Sequence, residues 1–451
     1  MPEKFDVVVI GAGPAGEHAI GRMLTAGMKV ALVERELIGG ECSAWACIPT
    51  KTLLRPPEAR AEAKYVWGVS EPSFDWPGIR DYRNYMTRNW DDHKQVEGYE
   101  GKGVHVVKAA GKITGPGHVE AGGEVLETER ILISTGSYPV IPPIDGLEEA
   151  GYWTNRGATE FQVPPKSVVI AGGGPVGVEL AEIFRGLGAD ATIVEGNERL
   201  LSRETPRVGE LVKELLEKNG IGVRTGRHAE SVRRDGDERV VKLDDGEELR
   251  GEEFIVAVGR KPRAGELGLD ALGVELGEHG EAPVDERCRV AGAENVWAIG
   301  DATGVALFTH VGKYQARIAV ADMLGKPAKA DYRAIPRVVF TYPEVAAVGL
   351  TEQQARDEGM DVATGEIQLA DNISRPSTFE EDPGGTLGVV IDRGRNVLVG
   401  AWAVAPLASE WIHQAVLAVR AEVPVDVIHD TIAQFPSYTE GYLFALEDAI
   451  A

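Results

Sequence analysis

Cysteine is scarce: the 451-residue chain contains only three. Three cysteines exclude the disulfide framework that staples small secreted domains, and they suit a transient redox pair in a reducing compartment. Long apolar runs are missing as well. None reaches the roughly 18 residues that a membrane-spanning helix needs. Positive charge is in deficit, with 47 Lys and Arg against 71 Asp and Glu, a net charge of −24. That balance argues against nucleic acid or an anionic membrane as a partner. The opening Pro2-Glu3-Lys4-Phe5-Asp6 runs into strand-like sequence and lacks the pattern of a signal peptide, so a cytoplasmic location is expected. Low-complexity sequence is absent, and Pro-rich stretches are short.

What is present is a soluble globular composition, 43% hydrophobic and 26% charged, on a length that allows about three domains. One pattern occurs twice. FDVVVIGAGPAG (Phe5 to Gly16) and KSVVIAGGGPVG (Lys166 to Gly177) each join a buried-strand run to G-x-G-x-x-G and a helix-like stretch. Each is followed by a second strand ending in an acid, Glu34 and Glu195, 18 residues after the third glycine in both copies. A single G-x-G-x-x-G is weak; two copies in β-α-β context with matching acids predict two dinucleotide-binding units. Gly11 and Gly172 permit the tight turn. Gly13 and Gly174 let the backbone approach a pyrophosphate at a helix N-terminus. Gly16 and Gly177 allow helix and strand to pack, and the two glutamates accept from ribose hydroxyls.

Around these lie an expected β-ribbon between Arg233 and Leu249, with turns at Asp235-Gly236 and Asp245-Gly246. Apolar strands enter glycine turns at Ile131–Pro139 and Phe254–Pro262, and Val296–Ile299 runs into Gly300-Asp301. From about Tyr332 the pattern is α+β, with strands LGVVID and VLVGAWAV about a turn at Gly394–Asn396 and a helical run over Ser409–Arg420.

Two of the cysteines stand in Gly39-Gly40-Glu41-Cys42-Ser43-Ala44-Trp45-Ala46-Cys47-Ile48-Pro49-Thr50-Lys51. In an ideal helix Cα atoms five residues apart are separated by about 8.7 Å. A disulfide needs roughly 4.4–6.8 Å. A bonded Cys42–Cys47 pair therefore requires a distorted helix, and Pro49 is the expected contributor. Such a strained bond is easily reduced, as a catalytic pair should be. Cys288, in a strand-like segment, reads as a small core residue.

With these motifs the chain resembles the FAD-dependent pyridine nucleotide–disulfide oxidoreductases, the group of dihydrolipoamide dehydrogenase, glutathione reductase and mercuric reductase. The resemblance runs the whole length through GAGPAG, GG-x-C-x4-C-IPTK, STGSYP, GGGPVGVE, VGRKP, AIGD and PRVVFTYPEVAAVGLT. It implies an α/β fold of two Rossmann-like dinucleotide-binding domains plus a C-terminal α+β dimerisation domain. The expected boundaries are 1–150 for the first part of the FAD domain, 151–270 for the NAD(P) domain, 271–331 for the return to the FAD domain and 332–451 for the interface domain of a homodimer.

The resemblance also implies roles. FAD would be held by Gly11, Gly13, Gly16, Glu34, Gly40, Lys51, Gly111, Thr135, Gly136, Asp301 and Thr309. NAD would be held by Gly172, Gly174, Gly177, Glu179, Glu195, Gly259 and Arg260. Lys51 would pair with Glu179 beside the flavin, where a cation stabilises the reduced ring. Cys47 would be the flavin-proximal thiol and Cys42 the interchange thiol. NADH is expected over NADPH because an acid at the ribose repels a 2′-phosphate, although Arg199 lies nearby and leaves NADPH open. No metal is expected.

The pattern breaks at the C-terminus. Disulfide reductases of this kind carry a His-Pro-Thr-x-Ser-Glu segment, and here it reads Gln434-Phe435-Pro436-Ser437-Tyr438-Thr439-Glu440, with Phe435 where the acid/base histidine stands. Loss of a general acid/base costs about 10²–10⁴-fold. Glu440 and Tyr438 are the remaining candidates for proton work, and His429 is a weak substitute. Trp45, Phe435 and Tyr438 are expected to line an aromatic pocket across the dimer interface for a flat or apolar acceptor, or else Trp45 and Phe435 plug the site. The reading that results is an NADH-dependent flavoenzyme acting through Cys42–Cys47 on an unassigned small-molecule acceptor. The alternatives are a diaphorase or quinone reductase, a mercuric reductase-like enzyme, or a non-catalytic flavoprotein redox sensor.

Overall fold

The computed structural model describes residues 4–381 and 383–451; Pro2 and Glu3 lie outside them. The chain forms two compact units. One takes the N-terminal segment to Thr52, Arg80–Val140 and Gly259–Asp331; the other takes Leu53–Ile79, Ile141–Val258 and Tyr332–Ala451.

The first unit is built on a seven-stranded sheet. His105–Val107, Val30–Val33, Lys4–Ile10 and Glu124–Ile133 lie side by side in parallel, with Val296–Ala298 also parallel to Glu124–Ile133. His118–Ala121 and Gly111–Gly115 then add in antiparallel order. The run Val7-Val8-Val9 is fully buried because both sheet faces are covered, as in parallel sheets generally. Alternation divides the run between two cores: Val8 and Ile10 join one, while Val7 and Val9 pack with Ala19, Ile20 and Met23 of the helix Pro14–Thr25.

The second unit repeats this plan. Gly222–Thr225, Asp190–Glu195, Ser167–Ala171 and Glu253–Val256 form a four-stranded parallel sheet. The helix Pro175–Gly186 covers it through Val178, Ala181 and Phe184. The expected ribbon is there and has a third strand: Ala229–Asp235, Glu238–Leu243 and Glu248–Gly251 are antiparallel. The C-terminal part is a five-stranded antiparallel sheet, in the order 337–339, 344–349, 397–405, 386–392, 362–368. Its expected hairpin turns at 393–396, with Asn396 at φ 53°. The helix Gly441–Ile450 lies so close to the strand Val362–Gln368 that a Cβ on Gly365 would meet the Ala445 carbonyl.

Expectations about the boundaries and about Cys288 are corrected. Leu53–Ile79 and residues 141–150 belong to the second unit and not with the first part of the FAD domain. Residues 259–270 do not belong with the second nucleotide unit. Arg260–Pro262 pairs antiparallel with Ser137–Pro139, which draws the segment from Gly259 into the first unit. Cys288 is buried as expected, but it sits in a turn at φ 64° and not in a strand. Among the described residues, no helix is long and apolar enough to cross a membrane.

Candidate active site

The two glycine loops have the division of labour that the motif predicts. Gly11 has φ 101° and Gly172 φ 116°, a backbone that side-chain-bearing residues rarely adopt. A Cβ on Gly16 would meet the Gly11 carbonyl, and one on Gly177 the Gly172 carbonyl, so each helix sits directly on its own turn. Gly13 and Gly174 differ: a Cβ there would meet nothing within 4 Å. They are the N-caps of Pro14–Thr25 and Pro175–Gly186, with extended backbone and no side-chain cap. Open space in front of uncapped helix N–H groups fits a pyrophosphate. In the first unit Gly40, at φ 56°, continues this surface, since its Cβ position lies 2.9 Å from the Gly13 Cα.

The strand-end acids are fixed in matching ways. Glu34 accepts from the Ala12 and Glu36 N–H groups, both at 2.7 Å. Glu195 accepts from the Gly173 N–H at 2.5 Å, the Asn197 N–H at 2.7 Å and Asn197 Nδ2 at 2.5 Å. Each carboxylate is thus held at the rim of its glycine loop. Glu179, buried in the helix Pro175–Gly186 that follows the second loop, accepts from the Phe340 N–H at 3.1 Å.

The remaining residues expected at FAD cluster in the first unit. Asp301 accepts from Ser137 Oγ at 2.6 Å, and burial holds its carboxyl above the ordinary carboxylate range. Thr135 Oγ1 donates to the Arg263 carbonyl, and Gly136 turns at φ 74°. Gly111 begins its strand where a Cβ would press on Val33 and Ile10, at 3.0 and 3.2 Å, so its smallness serves packing. Arg260, expected at NAD, instead binds Ser137 through Nε to Oγ at 2.8 Å and Nη2 to the carbonyl at 3.0 Å. It also lies 3.7 Å from Glu41. Gly259 and Arg260 are therefore elements of the first unit.

The cysteine segment is broken where the disulfide argument requires, though not by Pro49. A short helix, Gly40–Ala44, carries Cys42 and ends at Trp45 with φ −139° and ψ 4°. A second helix, Cys47–Tyr65, begins with Cys47. Pro49 falls in the first turn of that second helix, where a missing N–H costs nothing. Cys42 and Cys47 are thiols here. Thr309 Oγ1 donates to Cys42 Sγ at 3.2 Å and lies 3.6 Å from Cys47 Sγ. Thr309 opens the helix Thr309–Met323, and Cys47 begins its own helix, whose first backbone N–H also favours its thiolate.

The two thiols are electrostatically unlike. A hydrogen bond from Cys42, with help from Thr309 and the Lys51 charge, pulls the Cys47 thiol down to about 6 against its burial. The same hydrogen bond, together with burial and the Cys47 charge, pushes Cys42 well above the ordinary thiol range. The arrangement stores one thiolate beside one thiol.

The C-terminal candidates are occupied otherwise. Glu440 accepts from the Ser437 N–H at 2.9 Å, the reciprocal half of a capping box. Tyr438 is buried in the core of the C-terminal sheet, parallel-stacked on Trp411 at 5.9 Å, with its hydroxyl lacking a hydrogen-bond partner. Burial pushes it up to about 12. Phe435 is 71% exposed and joined to Pro436 by a cis peptide. His429 ends a short helix and pairs with Glu447 at 2.9 Å. Sequence reasoning missed Glu41, Ser137 and Trp90, whose indole donates to the Ala44 carbonyl at 3.0 Å. Glu41 carried a signal by standing next to Cys42, and Ser137 by standing in STGSYP beside Gly136; Trp90 carried none.

Comparison with known proteins agrees with this geometry. Residues 5–322 match the family described as pyridine nucleotide-disulphide oxidoreductase, and residues 335–445 match its dimerisation domain. A mercuric reductase of Bacillus cereus is 31% identical over 450 residues, covering 98% of this chain and 71% of the relative. A dihydrolipoyl dehydrogenase of Thermus scotoductus is 33% identical over 456 residues, covering 99% and 97%. Among solved structures, the Cu(II) complex of the HOCl-induced flavoprotein disulfide reductase RclA from Escherichia coli superposes with a TM-score of 0.87 at 27% identity, covering 98% of this chain and 99% of that one.

Proposed function

The chain belongs to the pyridine nucleotide-disulphide oxidoreductases, and on that premise we propose that it carries electrons from NADH through the Cys42–Cys47 pair to a small-molecule acceptor. The observation that carries this reading is the unlike thiol pair sharing the Thr309 hydroxyl, with Cys47 lowered and Cys42 raised. FAD, when bound, supplies the two-electron exchange between a pyridine nucleotide and sulfur. Gly11, Gly13, Gly16, Gly40 and Glu34 would hold its dinucleotide part, with Asp301, Thr135, Gly136 and Thr309 at the rest. Gly172, Gly174, Gly177 and Glu195 would hold the nicotinamide dinucleotide, and Lys51 and Glu179 the reacting rings.

The residues divide the sulfur chemistry. The hydrogen bond from Cys42, then Thr309, Lys51 and the Cys47 backbone N–H, keep Cys47 as thiolate. Cys42 keeps its proton, hydrogen-bonds to that thiolate, and is the thiol that meets the acceptor. When an acceptor disulfide is reduced, the Cys42–Cys47 bond forms, the acceptor's S–S bond breaks, and its two sulfurs take the Cys42 proton and one proton from solvent. Glu195, fixed at the loop rim by Gly173 and Asn197, favours NADH by repelling a 2′-phosphate; a kcat/KM preference for NADPH would overturn that part. A homodimer formed through the C-terminal sheet domain is the proposed assembly.

The test is an anaerobic NADH titration of wild type and Cys42→Ser, followed by absorbance. A long-wavelength band at two-electron reduction of the wild type supports a live Cys47 thiolate, and flavin bleaching without it removes the disulfide mechanism. Turnover on disulfides, Hg(II) and quinones then sorts the acceptor. Hg(II) is included because relatives at 30–31% identity are mercuric reductases. Quinone turnover that survives Cys42→Ser would mark a diaphorase.

A further inference from the structure

The break between the two cysteine helices has a support outside both. The short helix ends at Ala44, so the Ala44 carbonyl is one of the terminal acceptors without an intrahelical donor. In an uninterrupted helix it would accept from Ile48, and the two cysteines would stand about 8.7 Å apart at Cα. Here the Trp90 indole N–H takes that carbonyl at 3.0 Å. Trp90 is itself placed against the grain of the backbone. Arg88, Asn89 and Trp90 run through φ 58°, 53° and 55°, three successive left-handed residues without a glycine, a conformation that persists only where its surroundings over-determine it. Part of that surrounding is Arg83, fully buried, with its guanidinium 5.4 Å from the Trp90 ring centre and hydrogen-bonded to the Asn84 side chain at 2.7 and 3.1 Å.

We propose that Trp90 is a positioning residue for the redox pair: by capping Ala44 it holds the helix break that brings Cys42 to Cys47. The inference rests on the redox-pair reading above. Without the indole donor, the continuous helix competes with the break. The thiols then spend less time in reach of one another, the disulfide loses stability relative to the dithiol, and Cys47 receives a weaker hydrogen bond from Cys42.

The experiment uses the purified full-length protein and Trp90→Phe, which keeps a ring over Arg83 and removes the N–H. Each is equilibrated anaerobically in glutathione buffers of graded ratio. In this exchange the Cys42–Cys47 bond forms, the bond of glutathione disulfide breaks, and the two glutathione sulfurs take the Cys42 proton and one proton from solvent. Disulfide content is read by alkylation and mass, and the Cys47 thiolate by ultraviolet absorbance against pH. Trp76→Phe is the control; it removes an indole donor to the Gln162 carbonyl in the other unit.

The expected result for Trp90→Phe is a roughly tenfold fall in the equilibrium constant for disulfide formation, about 30 mV for a two-electron couple. The thiolate midpoint should also rise, and Trp76→Phe should change neither. An unchanged potential in Trp90→Phe, or an equal shift in Trp76→Phe, overturns the role of Trp90. A wild-type protein that forms no Cys42–Cys47 disulfide at any ratio overturns the redox-pair reading instead.

Discussion

The two glycine loops are near copies in backbone and part company one turn into the helix. After Gly16 come Glu17 and His18; after Gly177 come Val178 and Glu179. In the first unit Glu17 is pushed up by burial and accepts from Tyr99 at 3.3 Å, while His18, lowered mainly by burial, accepts from Arg22 at 3.1 Å. In the second, Val178 joins the core and Glu179 is tied to the Phe340 N–H. The turn, the uncapped helix end and the strand-end acid are what a dinucleotide requires, and they are held constant. The positions just beyond are free to differ, and there the units diverge in use. The first supports a thiol pair, and the second presents a buried carboxylate.

The sharpest way to break this likeness is to fill the packing glycine of each loop in turn. In Gly16→Ala and Gly177→Ala the added methyl faces a carbonyl of the same chain, which cannot step aside. Gly16→Ala should lose most of its bound flavin. Gly177→Ala should stay yellow and lose NADH oxidation by about 10²-fold, the scale of an ångström-level misplacement. Flavin content and kcat/KM read the two separately; the reverse outcome would exchange the assignments of the loops.

The next largest effect concerns what only the first unit carries. Cys47 is lowered chiefly by the hydrogen bond from Cys42. Its alkylation should therefore rise with pH through a midpoint of about 6 in wild type. Cys42→Ala removes the donor and should move that midpoint up by about one to two pH units, the worth of a hydrogen bond to a charged group. A midpoint that stays near 6 would mean that Lys51 and the helix end suffice.

A milder comparison uses the two acids. Glu195→Gln keeps one accepting oxygen, for Asn197 or for Gly173 but not both, and removes the charge. The kcat/KM ratio of NADPH to NADH should rise by about tenfold, roughly 1.4 kcal/mol. Glu34→Gln should leave that ratio alone and weaken flavin retention. Equal effects at both sites would show that the acids serve loop stability and not nucleotide choice.

How much of this was legible in the sequence follows from the range of the forces involved. The loops and their acids are set by local sterics, so the turn at Gly11, the helix end at Gly13 and the packing contact at Gly16 could be read off. The ribbon after Arg233 was readable because Asp-Gly turns fix their own geometry. Arg260 was misplaced because its neighbours in sequence belong to the second unit, while its hydrogen bonds go to Ser137, which no local pattern reveals. Pro49 was blamed for the break because proline usually causes one; in the first turn of a helix it has nothing to disrupt. Trp90 was invisible, since a left-handed turn without glycine has no sequence signature.

The smallest expected effect lies in the C-terminal segment, which has no counterpart in either loop. Position 438 follows the place of the missing histidine, and a phenol there invites a role in proton transfer. The geometry argues otherwise. Tyr438 lies flat on Trp411 with Phe379 at its edge, and its hydroxyl is buried without a partner. A hydroxyl in that condition has lost water and gained nothing. Tyr438→Phe should thus raise stability, by about 1 kcal/mol in denaturant unfolding, and leave turnover unchanged. If Tyr438 supplied a proton, the same variant would lose about 10²–10⁴-fold in rate. One substitution thus separates a core residue from a catalytic one, because the two roles predict opposite signs of harm.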